Sequence, residues 1–141
     1  MGRDQSEPSR SFVSGATFDT GMLLALDRNE REAWVALRRL VNRGEVPTVP
    51  TVVTAQAWRD GRRQAQLARA LSDCRPEILS DELARMAGEL CRRSQTADIV
   101  DAVVIESAGR RNDDVYTGDT VDLEHLAERI TSRIAIIPIG R

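Results

Sequence analysis

Residues 15–26 read GATFDTGMLLAL, and this stretch decides the fold. Residues 15–18 are predicted to form a short strand that ends at Asp19, and residues 20–26 to form a short apolar helix directly after it. A strand that runs into a helix is the first half of a βαβ unit, which joins parallel strands. The stretch therefore predicts an α/β domain with an aspartate where its first strand ends.

The rest of the chain repeats this alternation of strands and helices. Short strands are predicted over residues 46–50, 76–79, 114–117 and 133–137, and helices over residues 30–42, 51–58, 62–71, 82–93, 98–108 and 121–129. Asn29 and Asp81 are expected to cap the helices that follow them. The helix over residues 98–108 has almost no polar face, so it should be buried on most sides. Alternating strands and helices predict an α/β fold with a mainly parallel sheet.

Aspartates stand where the predicted strands end, which is where open parallel sheets gather functional residues. Asp19 follows the first strand, Asp119 follows a later one, and Asp101 lies in the first turn of the buried helix. Asp98 precedes Asp101 by one helical turn, so both carboxylates should face the same way. Asp122 stands in the same relation to Asp119.

Carboxylates that converge without a partner raise one another's pKa, and a divalent cation relieves the repulsion. Mg²⁺ suits such a site because it prefers oxygen ligands and keeps several waters. A cation held in this way, which binds phosphate and activates water, predicts hydrolysis of phosphodiester bonds. His125 is the only histidine, so a histidine-based zinc site or a Ser-His-Asp triad is difficult to build.

Each of these aspartates also has a purely structural explanation. Asp98 could cap the buried helix, with Asp101 as a capping-box-like partner. Asp119 and Asp122 could begin the next helix in the same way, and Asp19 could be a turn residue. Spacing alone leaves metal binding and helix capping both open.

Four segments, in this order, resemble the motifs of the PIN family and in particular of its VapC-type toxins. Residues 18–26 (FDTGMLLAL) resemble the opening segment, a strand that ends in Asp-Ser/Thr and leads into an apolar helix. Residues 50–61 (PTVVTAQAWRDG) resemble the second motif, residues 98–102 (DIVDA) the third and residues 116–119 (YTGD) the fourth. The match covers nearly the whole chain.

The resemblance implies a three-layer α/β/α sandwich around a short, mainly parallel sheet, formed by residues 15–141. It implies an endoribonuclease that depends on Mg²⁺ or Mn²⁺ and that acts as the toxin of a toxin–antitoxin pair. It also implies a homodimer and inhibition by a cognate VapB-like antitoxin.

The same resemblance assigns roles to the side chains at matching positions. The catalytic, metal-binding carboxylates would be Asp19, Asp101 and Asp119. The auxiliary pocket residues would be Gln56, Asp98, Thr117 and Asp122. Among these, Asp98 and Asp122 would hold a second metal or its waters, and Thr117, like Thr20, would orient a carboxylate by hydrogen bonding.

Gln56 departs from the family pattern, because the second motif usually carries a glutamate at this position. An amide brings no negative charge, so Asp98 would have to supply the missing charge one turn from Asp101. Without it, the metal would bind more weakly. The alternative function is therefore a catalytically weak or inactive PIN-fold module that binds RNA or a protein partner.

All 20 basic residues are arginine and the chain contains no lysine. The planar guanidinium matches phosphate in a bidentate manner, so clustered arginines can bind nucleic acid on a protein of net charge −2. Arg59, Arg62 and Arg63 are candidates for contact with RNA or the antitoxin, and a solvated helix face is the alternative. A phosphoacceptor receiver domain, also an α/β fold with carboxylates at strand ends, is disfavoured because it relies on a lysine.

Residues 1–14 are polar, mix both charges and lack the apolar core of a signal peptide, which predicts a flexible tail. No apolar run in the sequence approaches the ~20 residues that a membrane span requires. A cytoplasmic protein is therefore expected.

Overall fold

Five parallel strands form one sheet in the part of the chain that the computed structural model describes, residues 15–118 and 120–139. The strands are β1 (Ala16–Phe18), β2 (Thr48–Pro50), β3 (Arg75–Glu77), β4 (Asp114–Thr117) and β5 (Ile136–Pro138). Their order is β3-β2-β1-β4-β5, so the chain moves outward from β1 to β3 and then crosses back to β4. Open α/β sheets bind ligands at such a reversal, at the carboxyl ends of the strands on either side of it.

The register brings the end of β1 next to the end of β4. Phe18 lies opposite Tyr116 in the parallel ladder. The ladder continues past the strand, because the backbone N–H of Asp19 donates to the carbonyl oxygen of Tyr116 at 3.2 Å. Asp19 therefore stands at the carboxyl edge of the sheet, beside Thr117 of the neighbouring strand.

Two layers of helices cover the sheet. The helices within the described ranges are α1 (Thr20–Asp27), α2 (Arg31–Asn42), α3 (Thr51–Ala57), α4 (Ala65–Leu71), α5 (Asp81–Ser94), α6 (Ile99–Arg111) and α7 (Thr120–Ala127). Helix α1 packs against α2, α3 and α4, whereas α6 packs against α5 and α7. The predicted three-layer α/β/α architecture around a parallel sheet is confirmed. None of these helices is long and apolar enough to span a membrane.

Helix α6 is the central buried element, as its sequence predicts. Every residue from 102 to 109 is buried, including the polar Glu106 and Ser107. The helix contacts β1, β2 and β4 and runs from the carboxyl edge of the sheet back across it. Its first turn carries Asp98 and Asp101, so burial of the apolar residues fixes where these two carboxylates lie.

Two predicted caps are wrong by one residue. Asn29 adopts a left-handed conformation with φ 61°, so it ends the turn after α1, and Glu30 takes the cap position of α2 without a side-chain hydrogen bond. Ser80 caps α5, because its extended backbone lets the hydroxyl accept the N–H of Leu83 at 3.0 Å. Asp81 instead lies in the first turn, where its negative charge interacts favourably with the helix dipole.

The predicted helix over residues 62–71 is divided in two. A short 3₁₀ helix (Gly61–Arg63) is followed by Gln64, whose backbone is not helical, and then by α4. Gln64 is buried, and its side-chain oxygen accepts the N–H groups of Arg59 and Asp60 at 2.7 and 2.9 Å. These bonds stabilise the non-helical backbone between α3 and α4. Strands β3 and β5 also differ from the predicted ranges 76–79 and 133–137 by one to three residues.

A polar network ties the end of α6 to the sheet. The guanidinium of Arg111 donates to the carboxylates of Asp113 and Glu77 at 2.8 and 3.0 Å. It also donates to the hydroxyls of Thr17 and Ser107 at 2.9 and 2.8 Å. Thr17 in turn donates to Asp113 at 2.8 Å, and Ser107 donates to Glu77. The network cross-links β1, β3 and α6 through side chains that the sequence pattern does not connect.

Arg111→Met is expected to lower the free energy of unfolding by about 3 kcal/mol, because it leaves two largely buried carboxylates without their cation. The adjacent, exposed Arg110 provides the control, and Arg110→Met should change the free energy by less than about 0.5 kcal/mol. Urea unfolding followed by circular dichroism measures both. Equal losses in the two variants would show that the network has no special role.

Candidate active site

Asp19 is held in a fixed orientation by both of its carboxylate oxygens. It is buried, with 5% of its surface exposed. Its Oδ1 accepts the N–H of Met22 at 2.8 Å, which caps α1, and its Oδ2 accepts the hydroxyl of Thr117. Asp19 therefore has a structural role at the turn between β1 and α1, where its side chain caps the helix. The bond from Thr117 in addition ties this carboxylate to the end of β4.

Gly21 allows the two segments that carry Asp19 and Thr117 to approach closely. A Cβ atom at Gly21 would lie 3.0 Å from the backbone nitrogen of Gly118 and 3.5 Å from Oδ1 of Asp19. Sequence reasoning assigned no role to this residue. The only signal in the sequence was a glycine near the start of a helix, where it costs stability relative to alanine.

Asp98 caps α6, as the structural explanation of this residue proposed. Its Oδ1 accepts the backbone N–H of Asp101 at 3.0 Å. Its own N–H donates to the hydroxyl of Thr96 at 3.2 Å, a residue that sequence reasoning did not single out. The two aspartates lie on the same side of the helix start, so capping and convergence of carboxylates occur together here.

Three further carboxylates lie within electrostatic reach of Asp101. The pKa of Asp101 is raised from 3.8 to about 7, and burial of its carboxyl group is the largest cause. A hydrogen bond with Asp98 and the negative charges of Asp98, Asp19 and Asp122 add to it. The structure thus brings together acids from the ends of β1 and the starts of α6 and α7.

Asp119, the third carboxylate assigned by the family resemblance, lies outside the described residues. Among residues 15–118 and 120–139, no three histidine, cysteine or acidic side chains converge closely enough to hold a metal ion by themselves. The assignment of Asp119 stays a prediction. Asp119 directly follows Gly118 in the sequence.

Gln56 contacts the start of α1. Its side-chain oxygen accepts the hydroxyl of Thr20 at 2.5 Å. The expectation that Thr20 orients a carboxylate is wrong, because its single hydroxyl hydrogen is directed to this amide. Gln56 is thus hydrogen-bonded to the residue that follows Asp19 in the chain.

Of the three arginines proposed to contact RNA or an antitoxin, Arg62 and Arg63 lie in the 3₁₀ helix and Arg59 precedes it. The guanidinium of Arg59 donates to the carbonyl oxygens of Ala55 and Trp58 at 3.0 and 3.2 Å, so it closes the end of α3. Arg62 and Arg63 are exposed, and Arg63 lies 3.8 Å from Asp60. This arrangement also fits a solvated surface, and a role in binding stays a prediction.

Three solved structures from toxin–antitoxin systems share this architecture. A chain of VapBC2 from Rickettsia felis, bound to a DNA fragment from their promoter, matches with a TM-score of 0.68 and 13% identity over 89% of this chain and 98% of that chain. A chain of a toxin–antitoxin complex from Klebsiella pneumoniae matches with a TM-score of 0.64 and 22% identity, over 77% of this chain and 89% of that chain. A chain of DNA-bound VapBC from Salmonella typhimurium matches with a TM-score of 0.62 and 16% identity, over 88% of this chain and 98% of that chain.

The chain has the fold of a VapBC subunit. The resemblance to VapC-type PIN proteins is confirmed at the level of the fold. Because the identities are at most 22%, the likeness to VapBC structures establishes the fold alone. No family model and no curated protein matches the sequence.

Proposed function

We propose that this chain is a VapC-type ribonuclease, which hydrolyses RNA phosphodiester bonds with the help of a bound Mg²⁺ or Mn²⁺. The observation that carries the proposal is the convergence of Asp19, Asp98, Asp101 and Asp122 where β1 and β4 end. This is the address at which parallel α/β sheets place their ligands.

The donor set fits a hard divalent cation. Asp19 and Asp101 offer carboxylate oxygens from two different elements, and such oxygens are the ligands that Mg²⁺ and Mn²⁺ prefer. The pKa of Asp101 is raised chiefly by burial of its carboxyl group and further by the charges of Asp98, Asp19 and Asp122, and a bound cation would oppose this shift. Asp19 and Asp101, with Asp119 beyond the described residues, would hold the ion, and Asp98 and Asp122 would act as auxiliary acids. When bound, the ion would activate a water and stabilise the charge on the phosphate.

The protein's own contribution is to fix the acids before substrate arrives. Thr117 and the N–H of Met22 hold the Asp19 carboxylate from two sides. Asp98 holds the first turn of α6, so Asp101 has little freedom to move away from Asp19. Preorganised side chains on helix and strand ends are what a site for an in-line attack on phosphorus requires.

The partners proposed here follow from the kind of complexes that share the fold. The neighbours are VapBC and toxin–antitoxin complexes, which supports a VapB-like antitoxin as the partner of this chain. We accordingly propose that the chain is the toxin of such a pair, acts in the cytoplasm and forms a homodimer.

A second candidate function is a PIN-fold module that binds RNA or a protein and cleaves weakly or not at all. Gln56 favours this second function, because its amide oxygen accepts the hydrogen bond from the hydroxyl of Thr20 but adds no negative charge to the pocket. The described acids alone also do not form a metal-binding triad.

Incubation of the purified chain with structured RNA in Mg²⁺, in Mn²⁺ and in EDTA tests the ribonuclease. We expect cleavage with either cation and none in EDTA. A crystal soaked in Mn²⁺ should show anomalous density between Asp19 and Asp101. Undiminished cleavage in EDTA would contradict metal dependence, and intact RNA together with empty anomalous maps would favour the binding module.

A further inference from the structure

An arginine groove of about 660 Å³ lies between α2 and the strands β4 and β5. We define it by its charged lining residues Arg31, Glu32, Arg39 and Arg43 together with Tyr116, and the rest of its lining, Val35, Ala36 and residues 137–139, is apolar. Three positive charges against one negative charge make it basic, on a protein whose net charge is −2.

The three arginines form a row, with Arg31 and Arg39 on α2 and Arg43 at the cap position directly after it. With a rise of ~1.5 Å per residue, Arg31 and Arg39 are about 12 Å apart along the helix axis, and Arg43 follows about 6 Å further. Spacings of eight and four residues keep them on one side of the helix. The groove therefore presents a line of charge and not a single point.

These guanidinium groups are accessible to a ligand. No carboxylate of the described residues lies within ion-pair distance of Arg31, Arg39 or Arg43, whereas Arg28, Arg85 and Arg93 each have an acidic partner. Arg43 hydrogen-bonds the side chain of Tyr116, and its positive charge also acts on the carboxyl of Asp114, whose pKa it lowers against the raising effect of burial.

The groove ends at the acidic cluster. Tyr116 lines the groove, and its carbonyl oxygen accepts the N–H of Asp19. Ile139, in the same lining, donates its N–H to the carbonyl oxygen of Thr117 at 2.8 Å. Thr117 donates its hydroxyl to Asp19. One residue of β4 thus separates the basic lining from the carboxylate that the proposed cation would use.

The lining matches a single nucleic-acid strand. Grooves that bind single strands combine cationic side chains along the backbone with aromatic rings beside the bases. Tyr116 supplies a half-buried ring fixed edge-on against Phe18 at a centroid distance of 5.7 Å. Arginine forks match phosphate oxygens in pairs. By contrast, the groove lined by Val49, Trp58 and Leu71 is apolar and lacks arginine.

We propose that the arginine groove binds the phosphates of the RNA strand on one side of the bond to be cleaved. This inference rests on the proposed ribonuclease function, and it assigns the strand path to α2 instead of to Arg59, Arg62 and Arg63. RNA then crosses the carboxyl edge of the sheet from the groove to the acids.

Binding measured without a divalent cation tests the groove separately from cleavage. The probe is a short fluorescein-labelled oligouridylate, titrated with the full chain in EDTA at several salt concentrations and followed by fluorescence anisotropy. The variant is Arg31→Gln with Arg39→Gln, since both residues are exposed and glutamine has a similar helix propensity. Affinity should fall about tenfold, and the slope of log K against log salt should fall by about 1.4, or about 0.7 for each phosphate that the variant no longer neutralises.

The matched control is Arg85→Gln with Arg110→Gln, which removes the same charge from exposed positions in the other helix layer. It should leave both affinity and slope nearly unchanged. Equal losses in the two double variants, or no loss in the groove variant, would overturn the proposal, and the groove would then be open to a protein partner. The single variants Arg31→Gln and Arg39→Gln should each give half of the slope change, so a folding defect in the double variant leaves the test intact.

The two proposals fail in different ways. If the wild-type chain binds the oligouridylate through the groove but does not cleave RNA in Mn²⁺, the proposed ribonuclease activity is wrong, and the groove is still a site that binds an RNA strand. If the wild-type chain cleaves RNA and the groove variant binds as tightly as the wild type, the proposed RNA path along the groove is wrong, and the proposed ribonuclease activity is retained.

Discussion

Asp101→Asn is expected to abolish metal-dependent cleavage of RNA and, at the same time, to stabilise the metal-free protein. The first effect follows because asparagine removes one of the two described carboxylates proposed to hold the cation. Removing even an indirect partner of a metal ligand costs about 10–100-fold in activity, so we expect the rate to fall roughly 100-fold or more. Initial rates on structured RNA in saturating Mn²⁺ measure it.

The second effect follows from the pKa of Asp101, which is raised from 3.8 to about 7 in the fold. Between these values the unfolded chain has lost the proton that the folded chain keeps. The free energy of unfolding therefore falls as the pH rises from about 4 to about 7, and the loss is complete above that range. Asparagine removes the titrating group. Because Asp101 is partly exposed, we expect a gain of about 1 kcal/mol at neutral pH, well below the full value of the shift.

Thermal unfolding in EDTA at about pH 5 and about pH 8 separates the two causes of any change. Asp101→Asn should be more stable than the wild type at the higher pH, and the difference should be smaller at the lower pH, where only part of the loss in the wild type has occurred. Asp73→Asn, at an exposed position after α4, should match the wild type at both. Added Mn²⁺ should stabilise the wild type more than Asp101→Asn. A variant that loses cleavage and also stability would show that Asp101 has a structural role instead.

The strand and helix order was predictable because local patterns decide it. The stretch over residues 15–26 carries an apolar strand, an aspartate and an apolar helix, and β1 and α1 begin and end within one residue of the predicted bounds. The apolar run after Asp98 likewise predicts a buried helix. Caps were less predictable, since Ser80 and Asp81 are both good cap residues and only the backbone conformation selects one.

Interactions between distant residues could not be predicted in this way. The Arg111 network joins residues up to 96 positions apart, such as Thr17 and Asp113, and no periodicity links them. The row of arginines on α2 and at its cap position resembles an ordinary solvated face until β4 and β5 form the opposite wall of the groove. At the candidate site, convergence of Asp19 with Asp98 and Asp101 follows from parallel topology, whereas the bond from Thr20 to Gln56 requires the packing of α1 on α3.

Gln56→Glu is expected to tighten the binding of Mn²⁺ by about tenfold, which corresponds to about 1.4 kcal/mol. Glutamate has the shape of glutamine, so its carboxylate can still accept the hydroxyl of Thr20, which the Gln56 oxygen accepts at 2.5 Å in the wild type. The added negative charge lies beside Asp19 and attracts a cation there. In the metal-free protein the same charge should raise the pKa of Asp101 further, because a like charge disfavours its ionised form.

Isothermal titration calorimetry with Mn²⁺ compares this variant with the wild type and with Gln66→Glu, which adds the same charge on α4 beside Arg69. Only Gln56→Glu should bind more tightly, since the effect depends on distance from the acids. Equal affinities in all three proteins would place position 56 outside the metal pocket. The cleavage assay then distinguishes the two functions: if the wild type leaves RNA intact and Gln56→Glu cleaves it, the natural chain is a binding module on a nuclease scaffold. If both cleave, the aspartates alone suffice, and the amide sets how much cation the enzyme needs.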